Sequence, residues 1–127
     1  AVATSDGGAA TTSIVQGLCK AWINYKQAAT FVTNDSFNIS SVNDDGAGLG
    51  DTNYTNNFDN ANYAAAGASG RYTLTTSSAY WTFPTRGSDS VYSTSSTSWT
   101  SGYNPSSSTL TVLDMVLNIV NIHGDLA

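Results

Sequence analysis

The chain predicts an all-β fold, and three features of its sequence carry that expectation. Glu is absent, Gln occurs twice and Met once, so apart from Ala and Leu the good helix formers are nearly missing. Thr, Val, Ile, Tyr, Phe and Trp are plentiful, and these are the residues that fit a pleated, half-buried surface. Short apolar stretches are punctuated at roughly ten-residue intervals by Gly, Asn, Asp and Ser, the spacing of a sandwich or barrel, and a β-sandwich-like domain is the expectation. At 127 residues one domain is expected.

Taken in order, residues 1–12 are small and polar, with Gly7 and Gly8, and read as a linker or arm leading from preceding sequence. Residues 13–127 then form the single β-rich domain. Ile14 to Tyr25 is a long β-favourable run containing Trp22, Ile23 and Tyr25, broken at Lys26 to Ala29 before a second run, Thr30 to Val32. Ser36 to Val42 alternates, which places Phe37 and Ile39 on one face and Asn38 and Ser40 on the other. Asn43, Asp44, Asp45 and Gly46 make a turn signal, because Asx residues and Gly tolerate left-handed backbone. The return strand of that hairpin would put Tyr54, Asn56 and Phe58 on one face. Short strands are expected over Tyr63–Ala66, Gly70–Thr76 and Tyr80–Phe83.

The C-terminal segment, Leu110 to Ile122, is apolar on both alternating parities: Leu113, Met115, Leu117 and Ile119 on one, Val112, Val116, Val120 and Ile122 on the other. A helix from about Ser108 competes on length, but the β-branched content and the closing His123 and Gly124 favour a strand. Such a strand is buried on both sides, or between subunits. The second option has a motive: Leu, Ile, Val and Phe together number only 24 of 127 residues, near the level at which composition suggests disorder. Fourteen aromatics and a net charge of only −5 argue against a solvated coil. Core-poor β domains gain stability by oligomerisation, so a homo-oligomer is expected, with Met115, Leu117, Ile119 and His123 at the subunit contact.

Charge excludes several functions. With four cations and a pI near 4.2, no basic stripe exists to neutralise phosphates, so neither nucleic acid nor an anionic membrane is an expected partner. No apolar run approaches the roughly 20 residues of a spanning helix, and the first twelve residues lack the pattern of a signal peptide. Cys19 is the only cysteine and cannot form an intramolecular disulfide; Leu18 and Trp22 nearby suggest a buried thiol.

Catalytic and metal-binding constellations are not recognisable. One Cys, one His and no Glu leave Cys19 and His123 as the single nucleophile–base pair, with nothing in the spacing to bring them together. Asp44 and Asp45 are adjacent in a turn, where carboxylates diverge, rather than set apart for glycoside hydrolysis. Asp59-Asn60-Ala61-Asn62 lacks the alternating ligands and Gly of a calcium loop. No enzyme activity, cofactor or metal is therefore expected. Asn34, Asn38 and Asn53 open Asn-x-Ser/Thr triplets, but twelve Asn and thirty-five Ser or Thr yield about three by chance.

The most distinctive stretch is Thr85 to Thr111, in which sixteen of twenty-seven residues are Ser or Thr. Tyr92, Trp99 and Tyr103 are set into it, with Tyr80, Trp81 and Arg86 around its start. Aromatics give wide contact area for few rotatable bonds, and hydroxyl-rich backbone adapts its hydrogen bonds to what lies opposite. These six residues form the expected binding surface. Their flat rings and hydroxyls suit the C–H faces and hydroxyls of saccharides, although protein ligands use the same aromatics. The competing reading of Trp81 and Trp99 is that they anchor the core. Arg71 and Arg86, each near an aromatic or Pro, suit stacking or salt-bridge contacts, and Arg86 could take an acidic sugar or phosphate.

Several strings resemble one family. Ser13-Ile14-Val15-Gln16-Gly17-Leu18-Cys19-Lys20-Ala21-Trp22-Ile23-Asn24-Tyr25 is similar to the opening of a module found near the ends of tail-fibre proteins in marine and other aquatic bacteriophages. The resemblance continues in Asp35-Ser36-Phe37-Asn38-Ile39-Ser40-Ser41-Val42, the turn Asp44-Asp45-Gly46, Asn60-Ala61-Asn62-Tyr63-Ala64 and the terminal Val120-Asn121-Ile122-His123-Gly124-Asp125. It covers residues 13 to 67 and the last ten, while Gly70 to Thr109 matches nothing in the pattern and Asn53, Asn56 and Asn57 interrupt its apolar alternation. The resemblance implies a trimeric, β-rich fibre tip on the virion's outer face that contacts a bacterial surface glycan or outer-membrane protein without catalysis, and carries over no active-site residue. The alternative is a structural virion protein, a capsid decoration or fibre-assembly subunit whose aromatics pack against other virion proteins.

Overall fold

The computed structural model describes residues 2–4, 11–13, 17–70, 79–83, 92–106 and 109–127. Among these are eleven strands: β1 (Val2–Thr4), β2 (Thr11–Ser13), β3 (Ala21–Lys26), β4 (Val32–Phe37), β5 (Ile39–Gly46), β6 (Leu49–Tyr54), β7 (Ala64–Gly70), β8 (Ala79–Phe83), β9 (Ser96–Ser106), β10 (Thr109–Val112) and β11 (Leu117–His123). The fold is all-β, as composition predicts. Two antiparallel sheets dominate. One has the order β4-β3-β11-β7; the other has the order β10-β9-β6-β5, with β8 on the opposite side of β9. The expected N-terminal linker carries a small ladder of its own, β1 with β2, in which Val2 pairs with Ser13.

Both sheets feed one core. Ala21, Ile23 and Tyr25 from β3 and Val120 and Ile122 from β11 meet Tyr54 from β6, Trp99 from β9, and Phe58 and Tyr63 from the connection between β6 and β7. Aromatic volume replaces the missing aliphatics: Phe58 lies 4.8 Å from Tyr54 and 4.7 Å from Tyr63, ring centre to ring centre. Most polar groups drawn into the interior are hydrogen-bonded, although among the described residues Asp51 Oδ1, Ser69 Oγ, Thr100 Oγ1 and Asn118 Nδ2 are buried without a partner. Buried Gln27 donates to Asp44 Oδ1 (3.0 Å) and to the carbonyls of Gly46 (3.2 Å) and Leu49 (3.0 Å), tying the end of β3 to the β5–β6 hairpin. Asp44 adds to the effect of burial on Tyr25, whose phenol is pushed far above its usual range, mainly by desolvation.

Several strand limits differ from the sequence reading. Ile14 to Gln16 lie outside the described residues, and in the described part of the first run the strand begins at Ala21. The alternating run Ser36–Val42 is two strands in different sheets, divided at Asn38, whose φ of 56° turns the chain. Asn38 holds that left-handed conformation through its own side chain: Nδ2 donates to the carbonyls of Lys20 and Asn56, and Oδ1 accepts the Asn56 N–H at 2.7 Å. Phe37 and Ile39 therefore do not share a face; Phe37 is 53% exposed, whereas Ile39 packs against the core. The expected hairpin forms, but its turn lies at Ala47-Gly48, because Gly46 pairs with Leu49. Gly48 sits at φ 65° with its N–H on Asp114 Oδ1 at 2.6 Å. The return strand stops at Tyr54, and Phe58 reaches the core from an isolated bridge with Leu126.

The C-terminal apolar run is also divided. β10 joins the five-stranded sheet, Leu113 to Val116 cross over, and β11 becomes a central strand of the other sheet. β11 is buried on one face only: Asn118, Val120 and Ile122 are enclosed, while Leu117 remains 38% exposed. The strand assignment stands, but two-sided burial within the chain does not. The β7 strand expected from Tyr63 runs Ala64–Gly70, and Arg71–Thr76 lie outside the described residues.

Candidate recognition surface

The spine of the candidate surface is β9, eleven residues long. One of its edges pairs with β6 (Leu49 with Thr100) and then β10 (Val112 with Gly102); the other pairs with β8 (Trp81 with Gly102). From Ser96 onward the Ser/Thr-rich stretch is thus an internal strand rather than the adaptable backbone its composition suggested. Its hydroxyls are used inside. Thr97 Oγ1 meets the hydroxyls of both Tyr54 and Tyr63, and Ser101 Oγ donates to the Leu113 carbonyl at 3.2 Å. Thr is β-branched and can bury its methyl while its hydroxyl is bonded, so this sequence suits a strand as well as a loop.

The expected binding residues separate into four environments. Trp99, expected at the surface, is 1% exposed in the core and donates its indole N–H to Thr52 Oγ1 at 2.9 Å, which removes it from any contact surface. Tyr92 is half-buried and packs against the core cluster that holds Trp99: it bridges to Thr97, and its ring stands edge-on to Tyr63 at 5.1 Å. Burial, and then the neighbouring Tyr63, raise its phenol above the usual range. Tyr80 and Tyr103 are direct cross-strand partners, with ring centres 6.4 Å apart and planes tilted by 35°. Both are partly exposed, at the end of β8–β9 beyond its pairing with β6. Trp81 points to the opposite face of that ribbon, where its indole N–H donates to Asn104 Oδ1 at 2.7 Å. Arg86 lies outside the described residues.

Sequence reasoning missed Asn104, because Asn before Pro reads as a turn rather than as a strand residue fixing a tryptophan. It also missed Gly102, where an added Cβ would fall 2.8 Å from Trp81 Cζ2 and 2.1 Å from the Thr111 carbonyl oxygen. Glycine here lets the Trp81 ring approach the β9 backbone closely.

The expected subunit-contact residues divide as well. Leu117, Ile119 and His123 share the outward face of β11. Met115 does not join them: it precedes the strand, is 0% exposed, and its carbonyl accepts the N–H groups of Gln27 and Ala28, so strand parity does not extend to it. Cys19 is half-buried, and its thiol donates to the carbonyls of Ala21 (3.1 Å) and Ile122 (3.4 Å) rather than to an imidazole. Among the described residues, no group of three or more His, Cys or Asp side chains is placed to hold a metal ion. No protein-family model, curated protein or solved structure matches this chain.

Proposed function

We propose that the chain is a receptor-recognition module from the tip of a bacteriophage tail fibre: a sandwich-like, homotrimeric domain that holds a bacterial surface polysaccharide, or an outer-membrane protein, without chemical turnover. The observation that carries this reading is the Tyr80–Tyr103 pair, two partly exposed rings held in register at the end of a hydroxyl-rich ribbon. Fixing two aromatic faces on paired strands removes the ordering cost that a loop would bring to binding. Saccharide C–H faces stack on such rings, and the hydroxyls around them match sugar hydroxyls. The resemblance of residues 13–67 and the last ten to fibre-tip modules supports the virion setting, and two sheets sharing one core support the sandwich-like architecture.

The structural-subunit reading has one observation in its favour: large apolar side chains, Phe37 and Leu117 among them, are exposed away from the tyrosine pair. Both readings place the chain on the virion. They separate in a competition experiment, in which purified domain is added to host cells before phage. A recognition module saturates the receptor and lowers phage adsorption in proportion to occupancy. Unchanged adsorption, with no domain retained on the cells, would overturn the proposal in favour of the structural subunit.

A further inference from the structure

We infer that copies of this chain assemble through the outward face of the β4-β3-β11-β7 sheet, around an axis parallel to its strands, with the β4 edge of one copy against the β7 edge of the next. The inference rests on the oligomeric part of the proposal above and is independent of what the tyrosine pair binds.

The face is defined by register. Phe37 pairs with Trp22, Trp22 with Asn121 and Asn121 with Ala66, so these four form one row across the sheet. Asp35, Asn24, Ile119 and Ala68 form the next row. Val32 pairs with Lys26, and Leu117 with Gly70, at the same end of the face. All these lie opposite Ile23, Tyr25, Asn118, Val120 and Ile122, which are buried in the core. An outward antiparallel face ordinarily alternates to polar residues. Here it presents Phe37, Val32 and Leu117 as exposed side chains, with Trp22 and Ile119 half-buried between them.

The occupant is a second copy, because only 24 of 127 residues are Leu, Ile, Val or Phe and such a core-poor domain gains stability by oligomerisation; charge then limits where the copies can meet. Each chain carries a formal charge of −5, so two copies repel unless they meet where charge is balanced. Among the described residues this face has one cation, Lys26, and one carboxylate, Asp35. The other described carboxylates lie elsewhere: Asp44, Asp45 and Asp51 on the β5–β6 hairpin, Asp114 against its turn, and Asp59 and Asp125 joined by a backbone hydrogen bond of 2.9 Å. The sheet face is where like-charge repulsion is least and apolar area is available.

Shape then fixes which edges meet. The β4 edge is bulky, with Phe37 and Val32; the β7 edge is small, with Ala64, Ala66, Ala68 and Gly70. Rotation about an axis parallel to the strands preserves height and brings one edge over the opposite edge of the neighbour. Phe37 and Ala66 share a row, so the rotation sets the exposed Phe37 ring of one copy against a methyl-sized site on the next. A ring of copies closes with every contact the same.

Disulfide trapping tests this directly. In a Cys19→Ser background, which leaves a hydroxyl to replace the thiol donor, Phe37→Cys and Ala66→Cys are combined and oxidised gently. The expected result is a covalent ladder that ends at the native oligomer, formed about tenfold faster than by Phe37→Cys combined with Asn53→Cys on the other sheet, because a seated contact raises the effective concentration. Separately, Phe37→Asp is expected to shift sedimentation to the monomer with an unchanged β spectrum, since the side chain is already half outside its own protomer. Equal trapping rates, or an oligomer that persists in Phe37→Asp, would overturn the assignment of the face. A parent chain that stays monomeric at every accessible concentration would overturn assembly itself, while retained cell binding by that monomer would leave the recognition reading standing.

Discussion

Trp99 donates its indole N–H to Thr52 Oγ1 across the β6–β9 ladder, and the two side chains are buried at the centre of the molecule. The sheet interior is thereby pinned by a polar bond at its largest side chain, in a protein with few large aliphatics to spare. Trp99→Ala is expected to destabilise the fold by about 3–5 kcal/mol, the usual cost of emptying a buried tryptophan site. Trp99→Phe keeps most of the volume and loses the donor, for about 1 kcal/mol. Urea unfolding of the two variants checks the order; equal small losses would show that Trp99 is not a core anchor.

Asn38 decides which sheet the chain enters after β4, so its replacement probes the crossing point. Asn38→Gly keeps the left-handed backbone but loses the bonds to Lys20 and Asn56, at an expected cost of about 1–2 kcal/mol. Asn38→Ala loses the same bonds but keeps a Cβ at positive φ, and is expected to cost about 1 kcal/mol more than the glycine variant. The difference between the two midpoints in urea measures the strain net of glycine's larger loss of backbone entropy on folding. No difference would mean that the crossing tolerates another backbone path.

Fold class was legible in the sequence because it depends on composition, which averages over all positions. Sheet membership was not. Phe37 and Ile39 have the two-residue spacing of one strand face, and only the conformation of Asn38 between them separates the two sheets. The same holds for Leu110 to Ile122, where continuous apolar residues hid a crossover at Leu113–Val116. Outward Leu117, Ile119 and His123 were identifiable by parity, and Met115 was not, because parity has no meaning before the strand begins. Trp99 and Tyr103 are alike in sequence, both set among Ser, Thr and Gly. Their difference in burial comes from what lies opposite: the buried β6 ladder for Trp99, and the end of β8 for Tyr103.

Gly102→Ala tests the close approach of Trp81 to β9. The added methyl meets both the Trp81 ring and the Thr111 carbonyl, so the β9–β10 pairing must part and the Trp81 ring, held by its bond to Asn104, must shift. A loss of about 1–3 kcal/mol is expected, with Trp81 fluorescence moving toward the exposed range. Unchanged emission with full stability would show that the ribbon adjusts without moving the indole.

Tyr25 and Tyr54 are buried, and burial is the first cause that holds both phenols protonated well above their usual range. In the unfolded chain the same groups ionise near pH 10, so above that pH the folded state binds more protons than the unfolded one. Stability is expected to be insensitive to these two groups below about pH 9 and to fall above about pH 10 by roughly 1.4 kcal/mol per pH unit for each. Tyrosinate absorbance followed alongside circular dichroism checks this: the last phenols should ionise only as β structure is lost. Full ionisation in the folded protein would contradict the burial.

The recognition proposal makes its sharpest demand on Tyr80 and Tyr103. Their rings face each other across paired strands, yet neither belongs to the buried core cluster, so truncation removes contact area without emptying the interior. Tyr103→Ala and Tyr80→Ala are each expected to weaken binding to host cells by about 1–3 kcal/mol while leaving the unfolding midpoint nearly unchanged. Tyr103→Phe separates stacking from hydrogen bonding. Retained affinity indicates that the ring face carries the contact, whereas a loss close to that of alanine indicates the hydroxyl. Trp99→Ala cannot serve this purpose, because its effect on binding would follow from unfolding. Binding that is indifferent to both tyrosines, measured on folded variants over a titration of domain against cells, would place the receptor contact away from the β8–β9 end and remove the observation on which the recognition reading stands.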